Sequence, residues 1–319
     1  MESLTESDLA LGNDNERMVV ANLWSYWAHL SIYRFAVPYC DGRSVLDVGS
    51  GVGYGADYLA RHGARAHAYD SSADAVAYAA RTFTHAPVTF EIADLNRPLP
   101  AADAAFEVVF SSNVFEHVAC IDELIAECAR VVTAQGTVIV AVPPVTAAWI
   151  AENDMRNHHH VHHLPPSAWH AKLSRFFGNI ECHAHHGAGK WAEFTEQRAE
   201  IGRAEHEVTI RETDFAFPVV TIERLNTWQC ITAIFVCRAP RAAALPPALA
   251  ERMPAEWHTG ALAAKIIGED RARVLQLTGE LQRERADHAA LREQLASVLR
   301  SKSWRVTAPL RRIVARIRK

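Results

Sequence analysis

Asp47, Gly49, Ser50, Gly51, Gly53 and Tyr54 stand together in SVLDVGSGVGYGADYL (Ser44 to Leu59), where a short apolar run passes straight into glycines. Residues of these types at this spacing suit ligand binding. Glycine lets the backbone turn sharply and lets a ligand approach with no Cβ in the way. Asp70 closes a second apolar run, Ala64 to Tyr69. It falls about 20 residues beyond the turn, where nucleotide-binding βαβ units place a carboxylate for ribose hydroxyls. A third run, Val88 to Ala93, ends at Asp94, and a fourth, Phe106 to Ser112, precedes Asn113. Strand ends aimed at one edge and carrying acids or an amide suit an adenosine-containing ligand without a pyrophosphate. The glycine loop alone does not separate this reading from dinucleotide binding.

These side chains must be positioned by strands and helices in alternation, which argues for a parallel sheet covered on both faces. The first helix stops near His62-Gly63, Ser71 or Ser72 caps a helix over Asp74 to Arg81, and Asp122 to Arg130 forms another. Gly136 opens the run Thr137 to Val142, which Pro143-Pro144 ends. Pro165-Pro166-Ser167 starts a helix expected to run through Phe177 and to close at Gly178, and Ile180 to His185 and Ile231 to Cys237 are the last strands. About 45 residues between those two exceed an ordinary hairpin loop. The insertion, 187–229, carries Trp191, Phe194, Phe215, Phe217 and Trp228. It is assigned to acceptor recognition or self-association, with a surface elaboration around its own small core as the alternative.

The motifs resemble the class I S-adenosylmethionine-dependent methyltransferases, over roughly Glu16 to Arg238. VLDVGSGVGYG is similar to the family's first motif, AYDSS to its ribose-binding acid, and EIADLNRPLP to the segment beside the adenine. FEVVFSSNVFEHV is similar to the fourth motif and GTVIVAVP to the fifth strand. Ser50 stands where the family often has Cys, and Val52 where an acid is frequent; neither change removes a glycine or acid the cofactor would need. The resemblance implies a Rossmann-like, doubly wound α/β fold of seven strands in the order 3-2-1-4-5-7-6. It also implies S-adenosylmethionine as cofactor, with Asp47, Gly49, Ser50, Gly51, Gly53, Tyr54, Asp70, Ser71, Asp94, Leu95, Ser111 and Asn113 around it. In the family a leader ending in an HLxxYRFA-like string packs over the cofactor pocket. His29, Leu30, Tyr33, Arg34, Phe35 and Ala36 fit that string, within a helical segment from Glu16 to Val37. A helix that merely covers the sheet is the alternative.

Methyl transfer is an in-line displacement at an already activated carbon, so alignment supplies much of the catalysis. A hydroxyl acceptor also needs a base. His117, in FEHV after the fourth strand, is one candidate, weighed against a histidine that only packs its loop. His158, His159, His160, His162 and His163 cluster after the fifth strand, and His160 and His163 are expected to face the acceptor. His117 and His160 are taken as the catalytic candidates. Histidines this close could bind a metal, but the nearby sequence shows no carboxylate or cysteine set that completes a site, so none is assigned. HHVHHLPPSAW also resembles the loop entering the next helix in related methyltransferases.

The chain's 319 residues are enough for a full α/β core and an appendage. Its net charge of −4 is unevenly placed: Arg300 to Lys319 holds eight Lys/Arg and no acid, leaving 25 basic against 37 acidic residues elsewhere. The six cysteines show no C-x-x-C spacing and read as free thiols in a reducing compartment. The N-terminus is acidic and unlike a secretory signal, and no apolar run approaches spanning length. A cytoplasmic protein is expected.

Residues 1–15 read as poorly ordered, 16–240 as the methyltransferase domain and 241–259 as a Pro/Ala-rich linker. Over 260–300, ten positions spaced three and four apart carry seven apolar residues, which suggests a short coiled coil and self-association, with a helix folded back on the domain as the alternative. In 301–319 basic residues alternate with Trp304, Leu310, Ile313, Val314 and Ile317, the pattern of a helix lying on an anionic membrane rather than on nucleic acid. A solvated, frayed end is the alternative. SKSWRVTAPLRR resembles the terminal segment of bacterial surface-polysaccharide enzymes. The leading reading is therefore O-methylation of a sugar or polysaccharide intermediate at the inner face of the membrane. A small-molecule methyltransferase acting on a quinone-like or secondary metabolite, and a non-catalytic coiled-coil scaffold, are the alternatives.

Overall fold

A computed structural model describes residues 24–84, 86–189 and 210–241. The expected N-terminal tail, linker, coiled coil and basic tail lie outside the described residues, as do Trp191 and Phe194 of the insertion. The expected leader helix is described from Trp24, as α1 (Trp24–Cys40). Four parallel strands follow in the order expected for nucleotide-type folds: β1 (Ser44–Val48), β2 (Arg65–Asp70), β3 (Val88–Ile92) and β4 (Phe106–Ser112). They alternate with α2 (Tyr54–Arg61) and α3 (Ala73–Thr82). After α4 (Ile121–Val131), β5 (Val132–Val142) pairs parallel with β4, and α5 (Ala148–Asp154) and α6 (Pro166–Leu173) precede β6 (Phe177–Gly187).

The main sheet runs β3-β2-β1-β4-β5-β9-β6, with β9 (Thr232–Pro240) antiparallel to both neighbours. That is the expected order 3-2-1-4-5-7-6. The expected count of seven is corrected, because the insertion adds two strands of two residues each. β7 (Phe215–Ala216) and β8 (Val219–Val220) both pair with β6, giving a mixed sheet of nine strands among the described residues. They cover the C-terminal half of the edge that β6 would otherwise present, at Cys182, His183, His186 and Gly187.

The local chemistry explains most boundaries. α4 buries Ile121, Leu124, Ile125, Cys128 and Val131 along one stripe, with Asp122 and Glu123 in its first turn and Arg130 in its last. Ser72, not Ser71, caps α3 by accepting the Ala75 N–H at 3.2 Å. β5 is buried from Gly136 to Val142, so its run is continuously apolar rather than alternating. α6 stops at Leu173, short of the expected Phe177. The Ser174 hydroxyl donates to the His170 carbonyl at 2.7 Å, and the Phe177 backbone is drawn into the ladder opposite Pro240. Gly178 therefore lies within β6 instead of closing a helix.

One core cluster lies between α1 and the sheet, where Ile32, Tyr33, Ala36 and Cys40 meet Val45, Val108, Phe110, Ile139, Ile234 and Val236. The described part of the insertion joins this packing. Phe215 and Ile210 cluster with Ala28 of α1, and the Phe217 ring stacks on His185 at 4.9 Å. Arg34 donates to the carbonyls of Glu212 and Phe215, each at 2.9 Å. All six cysteines are free, and four of them are buried. Among the described residues no helix is long and apolar enough to cross a membrane.

Candidate active site

The glycine turn leaves β1 and is fastened to the end of β2. Gly49 and Ser50 N–H groups both donate to the Tyr69 carbonyl, at 2.8 and 3.0 Å. The Gly51 N–H donates to Asp70 Oδ2 at 2.8 Å, and Asp70 Oδ1 accepts from the Ser72 N–H at 2.9 Å. Asp70 thus closes the loop at the end of β2. Gly51 has a φ of +54°, in the left-handed region that a side chain disfavours, and a Cβ built there would project into open space. That open space is the cradle a ligand would fill.

Beneath the turn, Asp47 is fully buried and accepts from the Tyr33 hydroxyl at 3.2 Å. Burial pushes its carboxyl up to about 7, against the opposing pull of the Tyr33 bond. Among the described residues, Asp47 Oδ1 and the buried Ser50 hydroxyl have no hydrogen-bond partner. Two orphaned buried polar atoms at one glycine turn are what a polar ligand would satisfy. Tyr54, at the start of α2, packs between Tyr26 and Tyr33 of α1, with ring centroids 5.1 and 5.9 Å away. α1 therefore lies over the mouth of the turn through aromatic contact.

The remaining expected cofactor residues are differently placed. Ser71 is exposed beside the cap. Asp94 is exposed, and its Oδ1 accepts the Asn96 N–H at 3.0 Å, while Leu95 is buried next to it. The Ser111 hydroxyl is buried and donates to the Val48 carbonyl at 2.9 Å, fixing β4 to β1. Asn113 takes a φ of +53° directly after β4, and its N–H donates to the Ala141 carbonyl at 2.8 Å. A non-glycine residue held there marks a turn whose geometry is imposed by its surroundings.

Behind that turn the chain brings together a cluster that the sequence left incomplete. The Glu116 carbonyl accepts from both Val161 and His162 N–H groups, at 2.7 and 3.0 Å, clamping the histidine loop onto the one-turn helix Phe115–His117. His162 adds a contact from Nε2 to the Val118 carbonyl at 2.9 Å. His117 and His160 meet edge to face, with ring centroids 4.6 Å apart. His117 Nδ1 lies 3.1 Å from the His159 carbonyl, which can only accept. His160 Nδ1 and His163 Nδ1 lie 2.7 and 2.6 Å from the two oxygens of Asp154. A carbonyl or carboxylate oxygen can only accept, so each of the three rings carries a proton on Nδ1.

Burial, helped by the neighbouring His160, lowers His117 to about 4, so its imidazole is neutral. Burial raises the Asp154 carboxyl, but the bonds from His160 and His163 more than offset this and leave it below the usual range. The sequence shows no carboxylate set beside the histidines; the fold brings two carboxylates to them, Glu116 and Asp154. Asp154 precedes His160 and His163 by six and nine residues in the sequence, a signal that could have been used.

The glycine turn, the acid at the β2 end and the strand order define the Rossmann-like α/β fold of the methyltransferases. Residues 46–140 match the family model described as a methyltransferase domain. Two Mycobacterium tuberculosis sequences from different strains, each named a probable S-adenosylmethionine-dependent methyltransferase, are 34% identical to the chain over 143 residues, covering 44% of it and 51% of theirs. A Mycolicibacterium smegmatis protein of similar name is 33% identical over 125 residues, 37% of this chain and 46% of that one. The chain thus spans about half the length of these curated relatives. Among solved structures, a S-adenosylmethionine-dependent methyltransferase of Thermotoga maritima superposes with a TM-score of 0.50 at 12% identity, over 67% of this chain and 89% of that one. A chain from the Haloferax volcanii complex of a methyltransferase with the Trm112 activator gives 0.51 at 17% identity, over 74% and 98%. These two likenesses speak for the fold.

Proposed function

We propose that the chain is an S-adenosylmethionine-dependent methyltransferase that methylates a hydroxyl of a sugar or polysaccharide intermediate. The observation that carries the cofactor is the turn itself: an open cradle at Gly51, the Asp70 carboxylate at its rim, and two orphaned buried polar atoms beneath it. The cofactor, when bound, supplies a methyl group on a sulfonium that leaves as a neutral thioether. Asp70 would hold the ribose, and Asp47 is the buried acid for the cofactor's charged amino-acid end. The family match over residues 46–140 and the names of the mycobacterial relatives support the same reading.

A hydroxyl acceptor is supported by the second cluster. A neutral alcohol accepts a methyl group poorly without activation, and His117 and His160 meet edge to face beyond β4. Val114, three residues before His117, lies against Gly49 of the cofactor turn, so the two clusters border one another. The sugar class of acceptor rests on the resemblance of the C-terminal segment to polysaccharide enzymes. A small-molecule hydroxyl would use the same residues.

The test is methyl incorporation from labelled S-adenosylmethionine across a panel of lipid-linked glycans, free sugars and phenolic metabolites. Label on a glycan, lost in His117→Ala and His160→Ala, is the expected result. Label only on phenolic or other small acceptors would replace the sugar reading. Saturable cofactor binding with no transfer to any acceptor would favour the scaffold.

A further inference from the structure

We propose that Glu116, His117 and His160 form a binding site for one divalent transition-metal ion of the zinc type, with Asp154 as the carboxylate that orients its histidine ligand. The donor atoms of the three residues lie within 4.8 Å of one another, so small side-chain rotations bring them onto a single cation. They form a set of two imidazoles and one carboxylate, borne on two loops that the Glu116 carbonyl clamps together. Such a set suits Zn²⁺, Co²⁺ or Fe²⁺, whereas Mg²⁺ and Ca²⁺ prefer oxygen ligands alone.

The orientation of the rings is the stronger observation. A metal-bound histidine almost always donates its other ring N–H to a carboxylate or backbone carbonyl. Both rings here do so: His160 Nδ1 to Asp154 at 2.7 Å, and His117 Nδ1 to the His159 carbonyl at 3.1 Å. Each Nε2 is thereby fixed as the ligand atom. His117 Nε2 lies 3.8 Å from Glu116 Oε1. That is longer than a hydrogen bond, but two metal–ligand bonds of about 2.0–2.2 Å span it at a wide angle.

In a second set, Asp154, His160 and His163, the donor atoms also lie within 4.8 Å of one another. Its nitrogen–oxygen separations of 2.7 and 2.6 Å are those of direct hydrogen bonds. Tetrahedral ligands of one ion with bonds of about 2.0–2.1 Å stand farther apart than that. Asp154 is therefore the outer carboxylate. Three protein ligands leave a coordination position open, as in catalytic rather than structural zinc sites. What the ion does there rests on the methyltransferase reading: it would hold and acidify the acceptor hydroxyl, and the imidazoles would then activate it through the cation. Whether the ion binds does not depend on that reading.

The full-length chain, stripped with chelator, is titrated with Zn²⁺ by calorimetry and with Co²⁺ by visible d–d absorption. One ion per chain is expected. His160→Ala and Glu116→Gln should weaken binding by at least a hundredfold, and Asp154→Asn by about ten- to a hundredfold. His158→Ala, at an exposed position on the same loop, should bind as the parent does. Cofactor affinity is measured on every variant as the check on folding. Should Glu116→Gln lose cofactor binding as well, His160→Ala decides. An absence of Zn²⁺ binding by the parent chain overturns the proposal. Undiminished binding in His160→Ala does so too, as does equal loss in His158→Ala, which would mean chelation by the histidine run. Metal lost in Glu116→Gln or Asp154→Asn with methyl transfer intact would leave the site standing and remove its part in the transfer.

Discussion

The Tyr33 hydroxyl donates to Asp47 at 3.2 Å, joining the helix that covers the sheet to the buried acid beneath the cofactor turn. Neither residue touches the other in sequence terms, and each explains the other's burial. Tyr33 is 4% exposed and Asp47 is 0%. A desolvated carboxyl that ionises near pH 7 makes ligand affinity pH-dependent.

Cofactor affinity should therefore rise with pH. Asp47 is raised to about 7 in the free protein, so near pH 6 about nine-tenths of it is protonated and unable to pair with an ammonium group. Calorimetric affinity for S-adenosylmethionine is expected to be several-fold weaker at pH 6 than at pH 8. Asp47→Asn should flatten that dependence at the weak end. An equal slope in Asp47→Asn would assign the effect to another group.

Asp70→Ala and Gly51→Val should each abolish measurable cofactor binding, for different reasons. The first removes the ribose acceptor and releases the Gly51 and Ser72 N–H groups. The second fills the open cradle at a φ of +54°. Undiminished calorimetric binding in both would sink the site.

Gly55→Ala tests the fit of α1 against α2. A Cβ at Gly55 would run into the Tyr33 ring, which is itself packed on Phe110 at 4.6 Å. Overpacking of this kind costs about 1–3 kcal/mol. A lowered midpoint in denaturant unfolding is expected, with Tyr33→Leu in the same chain partly restoring it by making room.

Acid should destabilise the fold before carboxylate chemistry does. Burial lowers His29 to about 4 and His185 well below its usual value, the latter bonded to Ser31 and Thr232. In the unfolded chain both take up a proton near pH 6.5, whereas the folded chain resists. The stability they contribute is thus present above pH 6.5 and lost as pH falls towards 4, on the order of 3 kcal/mol for His29 alone. Melting temperatures between pH 7.5 and 4.5 should show this fall, with a shallower slope in His185→Gln. An identical slope would move the effect elsewhere.

Removal of 301–319 should release the protein from anionic vesicles without changing cofactor affinity. Each basic residue near such a surface contributes roughly 1 kcal/mol, an attraction that salt screens. Self-association through 260–300 would strengthen it by multivalency. Cosedimentation at rising salt measures it, and equal pelleting of the truncated chain would refute the anchor.

The order of the long strands was implied by resemblance to a known family; the residues by themselves determined the glycine turn, the acids at the ends of β2 and β3, and the strands and helices between them. Each of these is written in contiguous residues: an apolar run of strand length, a turn that demands glycine, a cap, a helical stripe. Tertiary structure alone decided the rest. Nothing local tells Ser111 to donate to Val48, or Phe177 to leave its helix for a ladder with Pro240. Nor does it show that the insertion's Phe215 and Phe217 would be spent on α1 and β6 rather than on a core of their own. The histidine–carboxylate cluster is the clearest case. Its members come from the loops after β4 and β5, some 40 residues apart, and the parallel pairing of those strands brings both loops to one edge. Asp154 and its two histidines have a spacing along the chain, but their meeting with Glu116 and His117 has none, because that distance is fixed by strand register and not by the chain between them.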